Sequence, residues 1–101
     1  MGRLTTHVPD ISRGLPAAGV RIAVHPINEQ SGGLTPAFIH TTNTDGRVDG
    51  AVLQGDSFTV GLHELVFDVG GYFGRECFYS TVAVRFRIDD TKAHYHVPLL
   101  I

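Results

Sequence analysis

Between Thr81 and Ile88 the chain alternates strictly. Val82, Val84, Phe86 and Ile88 fall on one face, and Ala83, Arg85 and Arg87 on the other, which is the two-residue period of a half-buried strand. Val20, Ile22 and Val24 alternate with Arg21, Ala23 and His25 in the same way, and Leu65, Phe67 and Val69 form an apolar face opposite Glu64 and Asp68. Ala37 to Thr44 and His94 to Ile101 add two β-prone runs, and Leu4 to Val8 makes a short first strand. Turn residues fall between the runs: Ser12-Arg13-Gly14-Leu15-Pro16, Ser31-Gly32-Gly33, and Asn43-Thr44-Asp45-Gly46 with its hairpin-favouring Asp-Gly pair. The one helical stretch predicted is a turn or two around Gly71 to Cys77, flanked by glycine. Many short strands with turn signals between them predict an all-β sandwich.

With 101 residues the chain holds one core and reads as one domain. A hydrophobic fraction of 43% with 18% charged residues describes an ordinary globule, not a disordered segment. The formal charge is −2 with no Lys/Arg run, so the basic footprint needed for nucleic acid or an anionic membrane is missing. Cys77 is the single cysteine, which removes intrachain disulfides and multi-cysteine metal sites and fits a reducing compartment. No apolar run approaches a membrane span, and Met1 to His7 contains no apolar leader core, so the chain reads as cytoplasmic.

Chemistry could sit on the histidines, of which there are six. His94-Tyr95-His96 puts two imidazoles at i and i+2, on one face of a strand, opposite Tyr95, Val97 and Leu99. His7 shares a face with Arg3 and Thr5, opposite Leu4, Thr6 and Val8, and Arg47 directly follows the Asp45-Gly46 turn. The residues alone leave several readings open. The His-x-His pair can be surface decoration or a satisfied hydrogen-bonding pair. It can supply two ligands to zinc or copper, although spacing locates no third. It can also be catalytic. Arg47 can be a solvated turn residue, Cys77 beside Phe78 a core thiol, and His25, His40 and His63 structural or exposed.

Particular stretches carry more than their pattern. Leu4-Thr5-Thr6-His7-Val8, Gly14-Leu15-Pro16-Ala17-Ala18-Gly19-Val20, Thr44-Asp45-Gly46-Arg47, Gly70-Gly71-Tyr72-Phe73 and Ala93-His94-Tyr95-His96-Val97-Pro98-Leu99-Leu100 occur in that order over essentially the whole chain. Together they resemble the 5-hydroxyisourate hydrolases of the transthyretin-like family, the last stretch most specifically. The resemblance implies a transthyretin-like (prealbumin-like) sandwich of two antiparallel, four-stranded sheets with one short helix. It also implies a homotetramer with active sites in clefts between dimers. The implied activity is hydrolytic ring opening of 5-hydroxyisourate to 2-oxo-4-hydroxy-4-carboxy-5-ureidoimidazoline in urate breakdown, with no cofactor and no metal.

By the same resemblance the family's catalytic and substrate-binding residues map to His7, Arg47 and His96. Their types suit the reaction: histidine can act as base or acid near neutrality, and a planar guanidinium suits a flat, carbonyl-rich ligand. Pro9 and Leu15 depart from the family's usual aliphatic and polar or basic residues, and both are tolerable at a strand end or in a loop. The family pattern also runs on through a last strand to a Tyr-Arg-Gly-Ser end that contributes to the active site. Residues 1–101 are therefore expected to form a single domain lacking that strand. The alternative function for such a domain is a non-catalytic, transthyretin-like ligand binder or scaffold, and a third is a metal-binding β-domain built on His94 and His96.

Overall fold

The computed structural model describes residues 2–33, 38–74 and 78–101. The strands are β1 (Arg3–His7), β2 (Pro9–Asp10), β3 (Leu15–Pro16), β4 (Arg21–Pro26), β5 (Phe38–Thr41), β6 (Leu53–Gln54), β7 (Gly61–Phe67), β8 (Val82–Ile88) and β9 (His94–Pro98). Among the described residues a single 3-10 turn spans Gly55–Ser57, and one short helix, α1, spans Val69–Phe73. Four strands make one sheet in the order β5-β4-β7-β8, three make another in the order β6-β1-β9, and β2 and β3 form a two-stranded ribbon.

Alternation sets which side chains meet between the sheets. Leu4, Val8 and Leu53 come from the three-stranded side; Ile22, Val24, Leu65, Phe67 and Ile88 come from the four-stranded side, and all are buried in one cluster. Each fully buried Leu, Ile or Phe contributes about 1.5–3 kcal/mol relative to exposure. Val82, Val84 and Phe86 pack against this cluster while Arg85 and Arg87 face solvent, as the alternation predicts.

Four features differ from the expectations. The four-stranded sheet is antiparallel throughout, but the other is mixed: β1 pairs antiparallel with β6 and parallel with β9. Most of the chain lies between β1 and β9, which gives the long crossover that a parallel pair requires. That second sheet has three strands among the described residues, where the resemblance implies four. The helix begins at Val69, before the predicted Gly71, because the Asp68 carboxylate accepts the Gly71 N–H at 2.9 Å and caps it there. It ends at Gly74, whose φ of 68° is the left-handed conformation that terminates helices. Cys77 and the start of the Ala37 to Thr44 run lie outside the described residues.

The Asp45-Gly46 turn forms, but not as a two-residue hairpin. The Gly46 N–H donates to the Asn43 carbonyl at 2.9 Å and the Asn43 N–H to the Arg47 carbonyl at 2.7 Å. Thr44 and Asp45 are therefore the central pair, and Gly46, at φ 72°, is the left-handed residue that follows. The turn carries the chain from β5 in one sheet to β6 in the other.

Candidate active site

On β1 and at the residue that follows it, the side chains of Leu4, Thr6 and Val8 point into the core, while Arg3, Thr5 and His7 point outward. On β9, Tyr95 and Val97 pack inward while His94, His96 and Pro98 are exposed. The parallel register pairs Arg3 with His94, Thr5 with His96 and His7 with Pro98. Paired residues of adjacent strands share a face, so His7, Thr5, His96 and His94 all stand on the outer face of the three-stranded sheet. His7 and His96 are diagonal neighbours there, with backbones roughly 8 Å apart from one strand spacing and two residue rises.

The His96 imidazole is held locally: Thr5 Oγ1 lies 2.8 Å from its Nδ1. Beneath it, the buried Thr6 hydroxyl donates to the Val97 carbonyl at 2.6 Å, and the Leu99 N–H donates to the His7 carbonyl at 3.0 Å. The two strands are thus bonded from both backbone and core side. The same ladder continues beyond His7, where Ile101 N–H donates to the Pro9 carbonyl and Ile11 N–H to the Ile101 carbonyl, each at 2.9 Å.

Arg47 reaches this region through the backbone of its turn. The Val8 N–H donates to the Gly46 carbonyl at 2.8 Å, which sets Arg47 next to the residue that follows His7. Asn43 shapes the turn: its Oδ1 accepts the N–H groups of Asp45 (2.9 Å) and Arg47 (3.2 Å), and its Nδ2 donates to Asp49 at 2.8 Å. The ion pairs among the described residues, Glu64–Arg85 and Glu29–Arg87, lie on or beside the other sheet. No described group of three His, Cys, Asp or Glu side chains is arranged to hold a metal ion.

The remaining histidines are spread through the fold. His40 Nε2 lies 3.0 Å from the Val52 carbonyl. His63 is buried on the inner face of β7, stacked on Phe86, with Nε2 at 2.9 Å from the Thr59 carbonyl and Nδ1 without a partner. Its strand position matches that of the apolar Leu65 and Phe67, so a histidine takes a core position that alternation alone would give to a hydrophobe.

One polar cluster near the site was not read from the sequence. Asp10 is fully buried, and its Oδ1 accepts the Ser12 hydroxyl at 2.7 Å and the N–H groups of Ser12 and Arg13 at 3.1 and 3.3 Å. The Tyr72 hydroxyl of α1 donates to Asp10 Oδ2 at 2.8 Å and receives Arg13 Nη1 at 3.4 Å. The Ser12 hydroxyl foremost, with Tyr72 and the two backbone donors, holds the Asp10 carboxyl below the usual carboxylate range against the opposing effect of burial. Burial and the Asp10 acceptor push the Tyr72 phenol up. This cluster ties the turn after β1 and β2 to α1. The Asp10-x-Ser12 spacing of a side-chain-capped turn was its only local signal.

Clefts of about 580 and 480 Å3 open at the N-terminal end of the three-stranded sheet; His94 lines the second with Arg3 and Gln54, and His7 and His96 line neither. Among the described residues of this face, His94 and His96 are exposed and Thr5 and His7 half-buried. No helix among the described residues is long and apolar enough to cross a membrane.

Known proteins are similar to this chain along its length. A 5-hydroxyisourate hydrolase 2 from Rhizobium meliloti (strain 1021) is 43% identical, over 99% of this chain and 88% of its own. The structure of Klebsiella pneumoniae 5-hydroxyisourate hydrolase superimposes with a TM-score of 0.77 at 31% identity, covering 100% of this chain and 90% of that one. The structure of (S)-allantoin synthase superimposes with a TM-score of 0.85 at 41% identity, covering 99% of this chain but 40% of that one. The profile of the HIUase/Transthyretin family matches residues 4–101, and the chain belongs to that family.

Proposed function

We propose that this chain is a 5-hydroxyisourate hydrolase, opening the six-membered ring of its substrate to give 2-oxo-4-hydroxy-4-carboxy-5-ureidoimidazoline. The observation that carries the reading is that His7 and His96 share one face in adjacent, directly paired strands, in a chain whose relatives at about this distance hydrolyse that compound by name. A ligand binder would need an apolar cleft with the two imidazoles apart. Here they stand diagonally on one face, with Thr5 paired to His96 and two residues before His7 on its strand.

The chemistry follows from what ring opening requires. Water adds to the ring carbonyl, the carbon–nitrogen bond breaks, the carbonyl becomes a carboxylate and the nitrogen leaves with a proton. One imidazole accepts the proton of the attacking water and the other protonates the leaving nitrogen; the two act as a pair, without separate assignment of base and acid. Arg47 presents a planar fork to the carbonyl-rich ligand and stabilises charge growing on the attacked oxygen. The residues need no metal or cofactor for this sequence of steps.

An open face leaves the reaction exposed to bulk water, and closing it calls for a second surface. In a homotetramer another copy of the chain supplies that surface. The exposed Leu100, on the same face of the β9 ladder, and Ile11 at its end support this arrangement. A cytoplasmic place of action accords with a single cysteine and no possible intrachain disulfide.

The test is stopped-flow absorbance on freshly generated 5-hydroxyisourate with the wild type and His7→Asn, Arg47→Lys and His96→Asn. Either histidine variant should lose on the order of a hundredfold or more in kcat/KM, the scale of a general acid–base group, with the fold intact by circular dichroism. Near-normal turnover by His96→Asn would remove it from the site.

A further inference from the structure

We infer that Thr5 is a positioning residue for His96, holding its ring so that Nε2 is the atom offered to substrate; this rests on the hydrolase reading above. The basis is a side-chain contact between paired strands. Thr5 and His96 are register partners of β1 and β9, and Thr5 Oγ1 lies 2.8 Å from Nδ1. Nε2, on the far side of the ring from that contact, is left for the open face that His7 shares. In a histidine, the bond made by one ring nitrogen decides what the other can do.

The partner's being a hydroxyl is what matters. A hydroxyl carries one donor hydrogen and two acceptor lone pairs, and its hydrogen rotates. When Nδ1 is bare, Thr5 donates to it and Nε2 carries the ring hydrogen. When Nδ1 bears hydrogen, the same oxygen accepts it, and Nε2 is either a lone-pair base or, in the imidazolium, a second donor. The ring therefore need not swing between the states that proton transfer requires. A carboxylate at this position would favour the imidazolium and lock one tautomer; a threonine orients the ring without imposing a charge. Its β-branched side chain has restricted rotamers and suits a strand, so the oxygen is aimed at the neighbouring strand at small entropic cost. Positioning of this kind acts on the transition state more than on substrate capture.

The test uses the full chain and the near-isosteric Thr5→Val, which keeps the branched shape and strand preference but removes the hydroxyl, with Thr5→Ser as the conservative rescue. Thr5→Val should lower kcat by roughly tenfold, the scale of one orienting hydrogen bond, with KM within about twofold. Thr5→Ser should recover most of the loss. Nitrogen-15 NMR of the histidine rings gives a readout independent of turnover: the Nδ1 resonance of His96 should move in Thr5→Val and return in Thr5→Ser, with His7 unchanged. An unchanged His96 Nδ1 signal, or wild-type kcat in Thr5→Val, overturns the proposal, as does a serine variant as impaired as the valine one. If the wild type fails to hydrolyse 5-hydroxyisourate at all, the functional reading falls, and the NMR alone decides whether Thr5 holds the ring.

Discussion

Replacing Gly46 by alanine should damage stability and activity together, because one backbone contact serves both. Gly46 sits at φ 72°, and a Cβ built there would lie 2.7 Å from the Val8 carbonyl oxygen and 3.3 Å from both the Ala17 nitrogen and Pro16 Cβ. A left-handed conformation costs an L-residue roughly 1–2 kcal/mol. The close oxygen is backbone and cannot swing away, so the turn must lift from β1, weakening the Val8 N–H bond to the Gly46 carbonyl, a further ~1 kcal/mol. The sum is roughly 2–3 kcal/mol, which in a domain of this size lowers Tm on the order of 10–20 °C. Gly32→Ala separates the terms: φ is 73° there but nothing lies within 4 Å of the new Cβ, so only the conformational cost of about 1–2 kcal/mol applies. Displacing the turn also displaces Arg47 relative to His7, and a shift near 1 Å can cost about a hundredfold in rate. Differential scanning calorimetry and stopped-flow turnover, below the variant's melting range, measure both. Equal Tm losses for Gly46→Ala and Gly32→Ala, with wild-type turnover in the former, would refute the claim that this contact holds the site together.

Two further perturbations address the scaffold. Asp10 is more acidic in the fold than its ordinary value of 3.8, so its contribution to stability is fully present above that value and is lost as pH falls through the lower folded value. Urea midpoints measured from about pH 5 downward should therefore drop more steeply in the wild type than in Asp10→Asn, and parallel curves would count against this role. Leu65→Ala removes a fully buried side chain from the centre of the core; the expected loss is about 2–5 kcal/mol by denaturant unfolding, and a loss under about 1 kcal/mol would mean that the two sheets do not meet there.

Strand faces were legible because their period is local. Val82 to Ile88, Leu65 and Phe67, and the outward His7, His94 and His96 all follow from alternation within a single strand. What joins those strands is not local. The contact between Thr5 and His96 spans 91 positions, and no spacing in either strand gives the parallel register that sets His96 diagonal to His7 rather than opposite it. The Asp45-Gly46 pair marked a turn correctly, but its geometry depends on Asn43, and its role in placing Arg47 depends on Val8 from another element. His63 could be read as either structural or exposed, and it is structural; alternation assigns its position to a face without saying which residue type fills it. The helix starts before Gly71 because the Asp68 carboxylate caps it, a contact that depends on the local fold and not on the glycine spacing. Asp10 and Tyr72 are 62 positions apart, and neither residue type in isolation announces a buried pair.

The most direct measurement is the decay of freshly generated 5-hydroxyisourate, followed by absorbance with increasing amounts of the wild-type chain. The compound also decays without catalyst, so the decisive quantity is the rate above that background. A hydrolase gives an excess rate that rises in proportion to protein and collapses in His96→Asn at equal concentration. Decay at the buffer rate, at every concentration of a folded wild-type protein, would contradict the hydrolase assignment.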